Sequence, residues 1–397
     1  MNQSKFLLFL LATINFTNIV NVMIMMPLGD VFMKLYDISP QQFSWLVSAY
    51  ALGAFFSSLT GMFLIDRFDR KKTLLFIYCG FTICTFACAF AYSYVSFVII
   101  RFSTGIFGGM IGALVLSVVS DIYPFEKRGA AMGVLAAAFS AAAALGVPLG
   151  LLLAEKFDWY APFIAVAGMG LVVLSQIILH FPSMTEHLRH DSRNKSLVSV
   201  ITDITTDSNQ LNGLLLGIIL VFGHFIIIPF IAPYMIRNVG FTQGQITWMY
   251  FAGGLATVFS APLIGKLTDR FGALKMFNVL MLASFIPVYL ITNMPPISVV
   301  FALIITTSFF ILGSGRMIPP QAMITASVGP KNRGSFMSVK SALQQFGIFL
   351  ASTISGALVI DNGTGTLSGY ELVGYLSIGI SIIALLLARK LKVAAGN

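Results

Sequence analysis

Charge is what this chain has least of. Only 10% of its 397 residues are Asp, Glu, Lys or Arg, against about 25% in soluble domains. Hydrophobic residues make up 57%. A soluble protein of that composition would expose large apolar patches and aggregate, so the shortage of charge excludes an ordinary soluble domain. Carboxylates are fewer than basic residues, 15 against 24 Lys and Arg, and none lies deep inside an apolar run. Cysteine is nearly missing: Cys79, Cys84 and Cys88 share one apolar stretch and read as small buried hydrophobes rather than as metal or redox groups. There is no phosphate loop, no metal-spaced His/Cys cluster and no Ser-His-Asp set. Enzyme chemistry, metals, cofactors and ATP drive therefore have no support. After Met1-Asn2-Gln3-Ser4-Lys5 the chain runs straight into an apolar stretch without a small-residue cleavage site, so no cleaved signal is expected.

What the chain does have is long apolar segments. About 20 apolar residues cross a bilayer as a helix. Twelve such segments are legible, roughly 6–28, 42–65, 73–92, 95–120, 129–154, 160–181, 211–236, 244–265, 275–293, 297–318, 334–358 and 368–388. One long polar loop, 182–210, divides them into a six-helix bundle over 1–181 and another over 211–397. Of the basic residues, Arg101, Arg316 and Lys340 fall inside spans and Lys34, Lys156 and Arg237 on the outer side. The remaining eighteen lie on the side shared by both termini. By the positive-inside rule both termini are cytoplasmic. The net charge of +9 is thus a topology signal with contact to anionic lipid, not a nucleic-acid footprint.

The two bundles are copies of one unit. The stretch Asp66-Arg67-Phe68-Asp69-Arg70-Lys71-Lys72 between spans two and three has a partner in Gly265-Lys266-Leu267-Thr268-Asp269-Arg270-Phe271-Gly272 between spans eight and nine, at an offset of 203. Arg128-Gly129-Ala130-Ala131-Met132-Gly133-Val134 and Arg333-Gly334-Ser335-Phe336-Met337-Ser338-Val339 open spans five and eleven at an offset of 205. Duplicated halves about a midplane site are a transporter signature.

Those motifs, along the whole chain, resemble the major facilitator superfamily, and within it the twelve-span drug:proton antiporters and sugar-efflux proteins. The loop after span two is similar to the family's G-x-x-x-D-R-x-G-R-K-x: Asp66, Arg67, Arg70 and Lys71 match, while Met62 takes the first glycine slot and Asp69 the second. Arg101, Gly105, Gly108 and Gly109 resemble its R-x-x-x-G-x-x-G-G element. Gly146-Val147-Pro148-Leu149-Gly150 resembles its antiporter motif. The resemblance implies an all-α integral membrane protein of twelve helices in two pseudo-symmetric bundles. It implies a secondary transporter exporting small amphiphilic molecules from the cytoplasm across a bacterial inner membrane, proton-coupled, working by alternating access as a monomer. The rival readings are an exporter or facilitator of a sugar, lysolipid or siderophore-like metabolite, and a non-transporting sensor on the same fold.

Residue expectations follow. The resemblance implies a conformational latch of Asp66, Arg67, Arg70 and Asp121, repeated at Asp269 and Arg270, with Arg67 and Arg70 pairing to Asp121. Asp66 is set toward the N-terminus of the eleventh helix, whose dipole favours a carboxylate. Arg101 is too costly to leave in lipid, at about 2.5–3.5 kcal/mol near a helix centre, and turns to the polar face of span one, where Asn15, Asn18 and Asn21 recur at three-residue spacing. Substrate-cavity candidates are Asn18, Asn21, Arg101, His224, Arg316, Lys340 and Gln344, with Arg316 and Lys340 either lining the cavity or snorkelling to the inner face. If they line it, the site is positive and favours an anionic or zwitterionic substrate. Relatives place a proton-carrying acid in span one. Asparagines stand there here, which leaves Asp30 and His224 as proton-coupling candidates. Gly105, Gly109, Gly146, Pro148 and Gly150 are positions of close helix packing. Tyr50 is an interface anchor or a cavity aromatic.

Overall fold

The structure is a computed structural model, and it describes residues 3–64, 67–123, 125–185, 202, 204–329 and 333–392. It is an all-α multi-pass membrane protein. Span 1 is α1 (Gln3–Met23), followed by the short α2 (Gly29–Leu35). Spans 2, 3 and 4 are α3 (Pro40–Leu64), α4 (Arg70–Cys88) and α5 (Tyr94–Ile122). Span 5 is α6 (Phe125–Ala141), a π-helical turn (Ala142–Gly146) and α7 (Val147–Lys156), and span 6 is α8 (Ala161–His180). Span 7 is α9 (Ser208–Phe225), α10 (Ile228–Tyr234) and a second π-turn (Met235–Val239). Spans 8 and 9 are α11 (Gln243–Phe271) and α12 (Ala273–Thr292). Span 10 is α13 (Val299–Gly315) with α14 (Ile318–Ala326), and spans 11 and 12 are α15 (Arg333–Leu358) and α16 (Tyr370–Ala388). A two-stranded hairpin, β1 (Ile360–Asp361) with β2 (Leu367–Ser368), joins the last two.

Eleven spans among the described residues are long and apolar enough to cross a bilayer. α15 is the exception by composition, not by length. Its 26 residues reach about 39 Å at 1.5 Å per residue, but they include Lys340, Gln344, Gln345 and five serines.

The chain forms two compact units. Unit 1 is Met1–Met25 with Ala49–Asn194, and unit 2 is Met26–Ser48 with Lys195–Asn397. The sequence places the first division inside the 182–210 loop. The structure keeps a division there and also moves 26–48 into unit 2, because α2 packs on α10. Unit 1 has an apolar core built from spans 1, 3, 4, 5 and 6, with Leu11, Ile14, Tyr78, Ile111, Val118 and Ile177 fully or nearly fully buried. The corresponding core of unit 2 centres on Leu216, Phe277, Met281, Phe336 and Ala384.

Two sequence features explain local geometry. Pro148 has no N–H to donate and its ring crowds the preceding turn. The helix widens to a π-turn just before it, at Ala142–Gly146. Gly272 has φ +88°, a conformation that costs a non-glycine residue, and it lets α11 turn directly into α12. The matching position in the first half is Asp69, with φ −53° and ψ 126°. Its carboxylate instead accepts a hydrogen bond from the Lys71 backbone N–H at 3.0 Å and caps α4.

The glycines of span 4 set how closely span 2 approaches. A Cβ on Gly105 would lie 2.1 Å from the Tyr50 backbone oxygen, and one on Gly109 would lie 2.5 Å from Ser57 Oγ. On span 5, a Cβ on Gly146 would meet Val20 and one on Gly150 would meet Ile24. Gly112 has nothing within 4 Å of such an atom. Gly105→Ala should therefore force two backbones apart and cost about 1–3 kcal/mol, as overpacking does. Gly112→Ala should stay within about 0.5 kcal/mol of the wild type. Thermal unfolding of the two variants in detergent separates these outcomes.

Candidate functional site

In unit 1 the site is built around Arg101, which is 1% exposed. Burial of a guanidinium requires compensating groups, and span 1 supplies them. Arg101 Nη1 donates to Asn21 Oδ1 at 2.7 Å and to the Asn21 carbonyl at 3.4 Å. Asn21 Nδ2 in turn donates to Thr85 Oγ1 at 3.1 Å. The guanidinium carbon lies 5.0 Å from the centre of the Tyr50 ring, within cation–π range. Tyr50 donates its hydroxyl to Asn18 Oδ1 at 2.7 Å, and Asn18 Nδ2 donates to the Gly108 carbonyl at 3.3 Å. The spacing of Asn18 and Asn21 on one helix face made this network legible in sequence. Tyr50 was the missing member: it is 5% exposed, packed under Arg101, and no anchor at an interface.

Unit 2 buries two cations. Arg316 is 1% exposed, so it does not snorkel out. It ends α13 and turns inward. Its Nη1 donates to Ser284 Oγ at 3.0 Å and Ser381 Oγ at 3.4 Å, and Nη2 donates to the Gly223 carbonyl at 3.3 Å. Ser377 Oγ donates to the same carbonyl at 2.5 Å. His224, the next residue, stacks on Phe309 with ring centres 5.9 Å apart and 12° between planes. Arg316 Nε and His224 Nδ1 are both buried without a hydrogen-bond partner. Lys340 is 3% exposed and its Nζ donates to Gln321 Oε1, so it too stays inside. Gln344, one turn further along α15, is half-buried.

In unit 1, where span 3 begins and span 4 ends, Arg70 Nε pairs with Asp121 Oδ2 at 3.0 Å. Arg67 is exposed, and no hydrogen bond or ion pair to it is found among the described residues. Asp66 lies outside the described residues. In unit 2 Asp269 and Arg270 are exposed, and the Arg270 guanidinium sits 5.3 Å from the Phe271 ring centre. Asp69 has a role that the motif did not announce. It accepts from Ser183 Oγ at 2.6 Å and from the Met184 N–H at 3.0 Å, and Arg70 N donates to the Met184 carbonyl. It thereby ties the start of the long loop to the cap of span 3.

A second charged cluster lies in unit 2, where span 7 ends. Asp30, 4% exposed, accepts from Arg237 Nε at 2.5 Å and from Lys34 Nζ at 2.7 Å. Arg237 Nη1 reaches Asp361 Oδ2 at 2.5 Å. Asn238 exchanges two hydrogen bonds with the backbone of Leu367, donating at 2.8 Å and accepting at 2.9 Å. The π-turn that ends span 7 thus aims Arg237 and Asn238 at the 360–368 hairpin and at α2. Sequence reasoning assigned Asp30 to the neighbourhood of the span-one asparagines. The structure gives it to Arg237, a partner 207 residues away that no local pattern announces.

Two of these carboxylates lie outside the spans and have perturbed titration. Burial pushes the Asp69 carboxyl upward, but hydrogen bonds from Ser183, Met184 and Lys71 and the charge of Lys72 outweigh it and hold the group below its usual value. The Gly363 N–H and then Arg237 hold Asp361 below its usual value, against slight burial. A depressed carboxylate stabilises the fold fully above its unfolded value, near 3.8 for Asp69, and that contribution is lost as pH falls through the lower folded value. Asp69→Ala should cost about 1 kcal/mol at neutral pH, and Asp69→Asn, which still caps, only a fraction of that. The penalty of the alanine variant should shrink as pH drops below the ordinary carboxylate range. Melting curves of the three proteins across pH in detergent check both statements.

Comparison with known proteins gives one consistent result. The model of the Major Facilitator Superfamily matches residues 8–225 and again 213–395. An uncharacterized MFS-type transporter, YceJ, of Bacillus subtilis (strain 168) is 24% identical over 333 residues, covering 84% of each chain. A probable sugar efflux transporter of Helicobacter pylori (strain P12) is 28% identical over 234 residues, 59% of this chain and 58% of that one. Among solved structures, a bacterial homologue of the human lysosomal transporter Spinster, in an inward-facing and unoccupied conformation, superposes with a TM-score of 0.76. It covers 98% of both chains at 15% identity, which is a likeness of fold.

Proposed function

Because the chain belongs to the Major Facilitator Superfamily, we propose that it is a secondary active exporter of small amphiphilic molecules, working by alternating access from a bacterial inner membrane with both termini in the cytoplasm. The observation that carries this reading is the outer ion cluster. Asp30, Arg237 and Asp361 fasten the segment after span 1 to the end of span 7 and to the hairpin before span 12. A buried ion pair adds little stability over a well-packed apolar contact of the same size. Its advantage is that it can part and re-form, with water solvating the separated charges. Arg70 and Asp121 provide a comparable pair at the cytoplasmic end of unit 1. A static sensor has no use for separable fastenings at both ends. Efflux as the direction is supported by the name of the Helicobacter relative and by the resemblance of the span-5 Gly-Pro motif to antiporters.

A second reading, proton antiport, is favoured by His224. Its Nδ1 is buried without a hydrogen-bond partner among the described residues.

Counterflow in proteoliposomes tests the carrier reading: exchange of a preloaded amphiphile without any gradient marks a carrier, and its absence marks a sensor. The outer cluster has its own test. In a background lacking Cys79, Cys84 and Cys88, a short bifunctional thiol reagent joining Asp30→Cys to Arg237→Cys should lower exchange at least ten-fold, and cleavage of the link should restore it. Full exchange by the linked protein would remove the cluster from the transport cycle.

A further inference from the structure

Among the described residues, the interiors of the spans hold cations and no anions. Arg101, Arg316 and Lys340 are all buried. Arg101 and Lys340 each lie seven residues inside a helix, about 10 Å at 1.5 Å per residue, and Arg316 sits between the two helical pieces of span 10. All described carboxylates lie at helix ends or in loops. The most buried of them, Asp30, is already taken by Arg237 and Lys34.

In unit 2 the compensation of Arg316 and Lys340 is made of dipoles alone: two serine hydroxyls, a methionine sulfur, one carbonyl and one glutamine amide oxygen. Dipoles orient a cation and lower its cost, but they do not cancel its charge. The Arg316 Nε–H remains unbonded, on the edge of the guanidinium whose other nitrogen holds only a long bond to Gly223. That edge is the one a carboxylate, sulfonate or phosphate ester takes up with two parallel hydrogen bonds. The neighbouring His224–Phe309 stack offers a flat apolar surface beside it.

We propose that the exported substrate is an organic anion with an apolar body, that Arg316 and Lys340 supply its counter-charge in unit 2, and that the inside-negative membrane potential drives it out without an exchanged proton. This inference rests on the exporter reading and puts the membrane potential in the place of a coupled ion. The driving force follows from sign. Moving one negative charge outward across 100 mV gains roughly 2.3 kcal/mol, an outside-over-inside ratio of about fifty-fold at 1.36 kcal/mol per decade. No titrating group is required for that, and the described spans hold no carboxylate in their interiors to serve as one.

The test uses the full chain in liposomes and three radiolabelled probes with one tail and three head charges: octyl sulfate, octyltrimethylammonium and octyl glucoside, each well below its micelle concentration. A valinomycin–potassium diffusion potential sets the voltage. Protein-dependent efflux of octyl sulfate alone, accelerated by a negative potential on the cytoplasmic side and approaching a fifty-fold gradient per 100 mV, is the expected result. A pH gradient at zero potential should leave it unchanged. Arg316→Gln and Lys340→Gln should each lower that efflux at least ten-fold, while Arg316→Lys, which keeps the charge, should lose less. Efflux of the cation or the glucoside in place of the sulfate overturns the anion inference and leaves the exporter standing. Sulfate efflux driven by the pH gradient at zero potential overturns the driving force and favours the His224 reading. No protein-dependent movement of any of the three, in efflux or in counterflow, overturns the exporter reading and this inference with it. The wild-type selectivity decides the question even if Arg316→Gln fails to fold.

Discussion

A guanidinium in a lipid-embedded helix bundle must be surrounded by groups that make up for lost water. That constraint organises both units. Arg101 in unit 1 and Arg316 in unit 2 sit among the largest fully buried side chains of the protein. Much of the polar inventory of the spans is arranged to receive them. Asn21, Tyr50 and Asn18 are strung from one; Ser284, Ser381 and the Gly223 carbonyl converge on the other. The close approach of span 2 to span 4 at Gly105 is part of the same arrangement, since it brings Tyr50 against the Arg101 helix. The glycine motif and the arginine motif of span 4 are one device.

The ion pairs follow different physics. Arg70–Asp121, and Asp30 with Arg237, lie near helix ends, where water can replace either partner. The interior arginines are met, among the described residues, by neutral dipoles and no carboxylate. Asp69 belongs to neither group. Where the second half uses a left-handed glycine at Gly272, the first half uses a cap, and the carboxylate that caps the helix also holds the beginning of the connecting loop.

The fold was legible because lipid enforces a simple grammar of apolar length and positive charge. The spans followed from that grammar, and the repeat and the family from the paired loop motifs and the glycine motifs. Arg101 with Asn21 was readable because a lone charge in an apolar run must find the nearest polar face. Arg70 with Asp121 was implied by the family resemblance, which also paired Arg67 there, a contact not found among the described residues. The outer cluster was not readable. It joins residues 30, 237 and 361, which belong to three unrelated loops by sequence and are brought together by two irregular features, α2 and the π-turn of span 7. Lys340 and Arg316 could be read either as snorkelling or as interior, because distance along a helix does not say which way its side chains face. The structure turns both inward, onto Gln321 and onto Ser284. The transfer of 26–48 to unit 2 was hidden for a related reason: sequence order assigns a segment to its chain neighbours, whereas packing assigned it to α10.

The polarity of α15 bears on how the protein is made. A helix with Lys340, two glutamines and five serines has little tendency to leave the translocation channel for lipid by itself. It has to be received by protein. Gln321 on α14 accepts the Lys340 ammonium, and Ile218 on α9 packs against Gly347. Spans 7 and 10, which receive it, both precede it in the chain. The lodging of span 11 is therefore a matter of packing against its protein neighbours, whereas span 12 is apolar enough to rest in lipid by composition.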